Sequence, residues 1–356
     1  MPYTPTSSGL SGVLFVLTRY VARERHPHHN HDWGTLQFLL YELALRYMLV
    51  ADEHQREATL RIVAANKVID GWEVHPKHMD PQDSRCIMTA FIHTMSRGTS
   101  DLLLTEDPLI MLRLVHLATD AETQDLLPAV IRSTLVYVWA AMNNLENESK
   151  PEGFHQWFIA CLSSLIRPLH NRPYPLTRIT QSLVMDAMHE SDFLDLIASI
   201  IVRLKPGESR YQAESSIATL GGLGVLFKLI VKAVPEVELG ECFKDYVPAW
   251  WKVRRHILPN WHDMPAGHSR PHEMHYMHCE DTWLQISEIL GLRSAIDSYT
   301  VPIANCDGGR CPMADTVNGL GAPQWIGSLV ELIPHIENPP YAVPIMSISR
   351  LKSEYT

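Results

Sequence analysis

Cysteine is scarce in this sequence, with six residues in 356. That is too sparse for the disulfide framework of a small secreted domain and fits a reducing compartment, so an intracellular location, cytoplasmic or nuclear, is expected. Long runs of lysine and arginine are missing, and 40 acidic against 30 basic residues give a formal net charge of −10. A nucleic-acid surface draws its affinity from neutralised phosphates, so no nucleic-acid partner is expected. Uninterrupted apolar runs such as Leu135 to Met142 fall short of the roughly 18 residues that span a bilayer, and no membrane partner is expected. Gly12 to Leu17 is apolar but short, lacks a basic stretch before it and leads into Thr18-Arg19, which makes a poor signal peptide.

Signatures of catalysis are missing as well. Gly267-His268-Ser269-Arg270-Pro271 breaks the G-x-S-x-G elbow at its last position. The glycines of Thr219-Leu220-Gly221-Gly222-Leu223-Gly224-Val225 match neither G-x-G-x-x-G after a strand nor a phosphate loop ending in Gly-Lys-Ser/Thr. Close helix packing is the reading left for them. Cys86 and Cys161 read as small core residues, because a thiol without a neighbouring base or cation stays protonated.

What the chain does have is helical period. Its hydrophobic fraction, 46%, supports a large core in one extended stack or two compact domains. Between Asp101 and Pro235 one amphipathic segment follows another. Asp107 precedes Pro108 in a helix start, where the proline's missing N–H costs nothing. Leu127, Val130, Ile131, Thr134, Leu135, Val138 and Trp139 mark one buried face at three-and-four spacing, and Trp157, Phe158, Cys161, Leu162 and Leu165 mark the next. Ile179 to Met188 and Leu194 to Leu204 continue the series. Thr119-Asp120-Ala121-Glu122 and Ser209-Arg210-Tyr211-Gln212 have capping-box spacing. Earlier helices are expected over about 12–25, 36–50, 55–69 and 81–95, and a later one over about 281–292.

Helices with one apolar face cannot bury it alone but can when stacked as hairpins. The expected fold is therefore all-α, either a helical-repeat solenoid of armadillo or HEAT type or an irregular helical bundle. No residue signature recurs at a fixed period to choose between them. Ten of the 24 prolines lie beyond Leu258. The chain accordingly divides into a helical region, 1–258, a His-rich linker with one helix, 259–304, and an irregular tail, 305–356.

Three stretches carry candidate chemistry. His272, His275 and His278, spaced by three, would share one side of a helix, with Cys279 or Glu273 beside them as further zinc ligands. Their spacing is not the His-Glu-x-x-His of a zinc protease, and a polar linker explains the same residues. His26, His28, His29 and His31 read as a solvated connector or as a second set of ligands. Around Trp250, Trp251, Arg254 and Arg255 the chain is aromatic and basic, suited to a partner-binding hot spot or to a helix that closes the end of the stack.

The third stretch is Asn305-Cys306-Asp307-Gly308-Gly309-Arg310-Cys311-Pro312. Two thiolates flanking a short glycine turn form the opening half of a zinc knuckle. With a long helical region upstream, this C-x4-C-Pro resembles the fungal proteins that end in a MYND-type zinc finger. The resemblance implies zinc on Cys306 and Cys311 and a role in protein–protein interaction. A MYND finger uses seven cysteines and one histidine, whereas no cysteine follows Cys311 here and His335 is the only later histidine. The finger would then be truncated or lost, with 313–356 as a replacement tail; two free thiols or a small disulfide hook explain the pair equally.

The sequence thus supports an interaction scaffold for an unidentified protein partner first and a metal-dependent hydrolase on the histidine cluster second. Elemental analysis separates them. The finger reading expects zinc that disappears in a Cys306→Ser, Cys311→Ser variant, and the hydrolase reading expects zinc that disappears in a His272→Ala, His275→Ala, His278→Ala variant. A metal-free wild type removes both.

Overall fold

The structure is a computed structural model that describes residues 9–24, 33–51, 55–56, 59–60, 62–63, 81–96, 107–144, 154–170, 174–207, 210–257 and 270–299. Among these residues there is no strand. They form thirteen α-helices: α1 Leu10–Glu24, α2 Trp33–Met48, α3 Pro81–Ser96, α4 Asp107–Ala118, α5 Leu127–Asn144, α6 Phe154–His170, α7 Arg178–Glu190, α8 Phe193–Arg203, α9 Arg210–Ala233, α10 Glu236–Cys242, α11 Val247–Ile257, α12 Arg270–Ile289 and α13 Arg293–Ser298. Short 3₁₀ turns, Gln124–Leu126 and Lys244–Tyr246, lead into α5 and α11. The all-α fold expected from the period is what the chain adopts.

Packing follows alternation along the chain. One row runs α2, α4, α6, α9 and α12, each helix against the next, and a second runs α3, α5, α7 and α10. Contacts of α3 with α4 and α5 with α6 tie the rows together, and α1 packs on α2. Each apolar stripe is therefore covered mostly by helices close in sequence, and the buried side chains from Leu14 to Ile296 form one continuous core. The series breaks at α8, which packs on α7 and α11. Its residues Phe193, Leu194, Leu196, Ile197, Ala198, Ile200 and Ile201 are buried almost all round the helix, the pattern of an internal helix rather than a surface one.

Local hydrogen bonding sets several boundaries. Thr177 accepts the Thr180 N–H at 3.2 Å and caps α7, while its own N–H donates to the buried Gln124 side chain at 2.8 Å. The expected capping box at Thr119 is shifted by one residue. Thr119 turns its hydroxyl back to the Val115 carbonyl at 2.6 Å. Asp120 and Thr123 make the reciprocal pair instead: Oδ1 of Asp120 accepts the Thr123 N–H, and Oγ1 of Thr123 accepts the Asp120 N–H, both at 2.9 Å. The second box expected, at Ser209, begins outside the described residues.

Three sequence expectations change here, the first being that Cys86, read as a small core residue, is exposed on α3. The helix expected from about 281 begins at Arg270 and takes in the whole histidine cluster, and a further helix, α13, follows it. Its stripe, His275, Cys279, Trp283 and Ile286, is buried, so the stretch read as a linker supplies part of the core. Windows at Gln124–Asn143 and Gln212–Ala233 are also long and apolar enough to cross a membrane, which counting uninterrupted runs did not reveal. In this structure 67% and 50% of them are buried, and their helices, α5 and α9, stand between neighbours in the two rows.

The glycines of α9 work by closeness. A Cβ on Gly222 would lie 2.7 Å from Cγ2 of Ile159 on α6, and one on Gly224 would lie 2.9 Å from Oε1 of Gln285 on α12, whereas Gly221 faces open space. Thus α9 fits between α6 and α12 because side chains are missing where they approach. The expected outcome is opposite signs for adjacent substitutions. Gly222→Ala costs about 1–3 kcal/mol through overpacking, and Gly221→Ala stabilises the helix by about 0.5–1 kcal/mol. Urea unfolding of the two variants checks this.

Candidate interaction surface

The structure separates the residues that the sequence grouped as candidate sites. On α12, His275 is buried and its Nε2 lies 3.0 Å from the Leu204 carbonyl, with the Cys279 sulfur 3.7 Å away. That imidazole therefore ties α12 to the end of α8. His272 and His278 are half-buried. Among the described residues no group of three or more histidine, cysteine or acidic side chains has a geometry that could hold a metal. Burial pushes the Cys279 thiol up to about 12 and the Cys161 thiol likewise to about 12, so neither supplies a thiolate near neutrality. Cys306, Cys311 and the N-terminal histidines His26, His28, His29 and His31 lie outside the described residues.

The tryptophan pair also divides. Trp250 is 0% exposed and stacks on Trp283, with ring centroids 3.8 Å apart and planes at 12°. The Trp283 indole N–H donates to the Trp250 carbonyl at 3.3 Å. Trp250 cannot be a surface anchor, because it holds α11 on α12; its own indole nitrogen is buried without a hydrogen-bond partner. Trp251 is half-buried, donates to the Ile296 carbonyl at 3.2 Å and lies under the Arg254 guanidinium at 5.1 Å. Arg254 in turn pairs with Glu280 at 3.0 Å. Only Arg255 of the four is exposed. The helix-closing function expected of this stretch describes these contacts, and the hot-spot reading loses its principal residue.

Grooves add little to this end. The larger, about 440 Å³, runs along the outer side of α12 beside His278, Asp281, Gln285, Glu288 and Arg293. A smaller one, about 340 Å³, lies between α10 and α13 beside Val237, Gly240 and Ala295.

The surface that stands apart is at the other end of the rows. On α1, Leu14, Thr18 and Val21 are buried, yet Val13, Phe15, Val16, Leu17 and Tyr20 are 42–64% exposed. Val13, Val16, Leu17 and Tyr20 follow the i, i+3, i+4, i+7 spacing of a helix-pairing seam. On α2 and the turn after it, the exposed side chains are Leu36, Leu39, Leu43 and Val50, and all four are apolar. The ionised pair of α2 is spent internally: Arg46 meets Glu42 and Asp83, each at 2.6 Å. At this end of the described rows the exposed side chains of α2 are leucines.

Sequence reasoning passed over this surface. Its signal was excess, since α1 and α2 carry more apolar positions than one buried stripe requires. No family model, curated protein or solved structure matches the chain, so the functional argument rests on this surface and the packing behind it.

His275 gives this region a pH dependence. Burial, more than the neighbouring His272 and His278, holds it below its usual value against the opposing effect of the Leu204 carbonyl. The unfolded chain binds the proton first as pH falls, so stability is full above about 6.5 and declines below it. Half-buried His256 is lowered in the same direction. Urea midpoints measured from neutral to mildly acidic pH are expected to fall in the wild type and to fall less in His275→Gln, whose amide keeps a donor for Leu204.

Proposed function

We propose that this protein is a helical-repeat scaffold for protein–protein interaction whose docking face is the N-terminal end formed by α1 and α2. The observation that carries the reading is the exposed side of α2, where Leu36, Leu39 and Leu43 face outward, followed by Val50 in the turn after it, with no polar side chain equally exposed among the described residues of that helix. Large exposed apolar patches on soluble proteins commonly mark a binding site. Phenylalanine, tyrosine and arginine beside it, in Phe15, Tyr20 and Arg19, match the composition of interface cores, and lysine is missing from both helices. Free thiols at all four described cysteines, Cys86, Cys161, Cys242 and Cys279, support placing the protein in the cytoplasm or nucleus. A MYND-type origin accords with an interaction role and rests on Cys306 and Cys311.

No observation favours the hydrolase. Among the described residues, no three histidine, cysteine or acidic side chains are placed to hold a metal.

A photocrosslinking amino acid placed at Leu39, in cells of the source organism, is expected to give a discrete adduct with another protein. The same group at the exposed Arg255 of α11 serves as control. Adducts at both positions alike, none at Leu39, or only a self-adduct at Leu39 would overturn the scaffold reading.

A further inference from the structure

The face assigned above has a sign of charge as well as an apolar seam. Exposed positions of α1 are Gly12, Val13, Phe15, Val16, Leu17, Arg19, Tyr20 and Arg23. Arginine is the only ionised residue among them, and no exposed acidic side chain is described on α1 or α2. In a chain with ten more acidic than basic residues, the charges described as exposed on α1 are both basic.

Helix geometry orders the same residues around α1. At about 100° per residue, Leu14 and Val21 mark the side turned to α2. Leu17 lies roughly 60° from that line, and Val13 and Tyr20 roughly 100–120° from it, all on the same side. Val16 follows roughly 160° round on that side, and Arg23 and Arg19 lie just past it, roughly 180° and 220° round. The apolar seam therefore flanks the α1–α2 contact, and the arginines border it. Arg19 is held in place over the Phe15 ring at 5.8 Å.

We infer that this seam takes one amphipathic helix of a partner protein, with leucine-like residues at i, i+3, i+4 and i+7 and acidic residues alongside. The inference rests on the scaffold reading and names the chemistry of its partner. Apolar side chains supply the contact, and Arg19 and Arg23 select carboxylates across the rim. A second copy of the chain fits less well, because pairing α1 with itself sets the arginines of both copies around one seam. An anionic bilayer would draw on the same apolar and basic residues, and the vesicle arm of the test separates it from a partner helix.

The test uses the full chain and two labelled peptides of about three heptads that share a leucine seam, one with glutamate and one with lysine at the flanking positions. Fluorescence anisotropy is expected to show the glutamate peptide bound about tenfold more tightly, with the difference shrinking at high salt. Val16→Asp is expected to abolish binding of both peptides. Arg19→Glu with Arg23→Glu is expected to reverse the preference. All three positions are exposed, so circular dichroism and the urea midpoint should stay at wild-type values. Equal binding of the two peptides, binding insensitive to Val16→Asp, or no binding would overturn the inference. So would Val16-dependent sedimentation with phosphatidylserine vesicles in place of peptide binding, or Val16-dependent dimerisation in analytical ultracentrifugation. If the peptides fail while the Leu39 crosslink to another protein persists, the acidic-helix inference alone falls.

Discussion

The close approach of α9 to its neighbours governs how the chain holds together. Where Gly222 meets Ile159, a single added methyl would run into the isoleucine side chain, and the same helix also reaches α12. Through α9 the N-terminal helices and the C-terminal end share one core. The Trp250–Trp283 stack depends on this arrangement, because α12 brings Trp283 to α11 only after α9 has positioned α12. Stacked indoles contribute about 0.5–1.5 kcal/mol beyond their buried area. That contribution covers part of the roughly 1–3 kcal/mol cost of burying the Trp250 indole N–H without a partner.

Most of the fold could be read from apolar spacing. The stripes of α5, α6 and α8 lie where the three-and-four period puts them, and the glycine cluster of α9 proved to be a packing device, as its failure to match any phosphate motif suggested. The start of α12 was not readable, because its first three turns are written in histidine, glutamate and tyrosine. Period analysis counts apolar residues, and it has no weight for an imidazole buried through one hydrogen bond. The shifted capping pair at Asp120 has a similar cause: Thr119 and Thr123 both offer a hydroxyl, and the choice between them depends on whether the Val115 carbonyl needs a donor.

The candidate sites were less readable than the fold. Trp250 and Trp251 announced a large apolar area, but sequence does not say which of two adjacent rings turns inward, and the one that stacks is lost to any partner. Histidines three apart share a helix side only loosely, and one of them was needed to fasten that helix. By contrast, the exposed seams of α1 and α2 were visible in principle as apolar positions surplus to one face. They were overlooked because surplus hydrophobicity near the start of a chain was weighed only against a signal peptide or a core.

Stacking by alternation also has a consequence for biosynthesis. Each helix of a row rests on one already made, since α4 docks on α2 and α6 on α4, so a chain leaving the ribosome N-terminus first can build its core in order without waiting for distant segments. The exception is the far end, where α8 gains α11 only after more than forty further residues have been synthesised. Until then the nearly all-apolar surface of α8 lacks part of its cover. The nascent protein thus passes through a stage when its two least polar regions, the finished N-terminal end and the waiting α8, face water together, and folding helpers in the cell would meet it then.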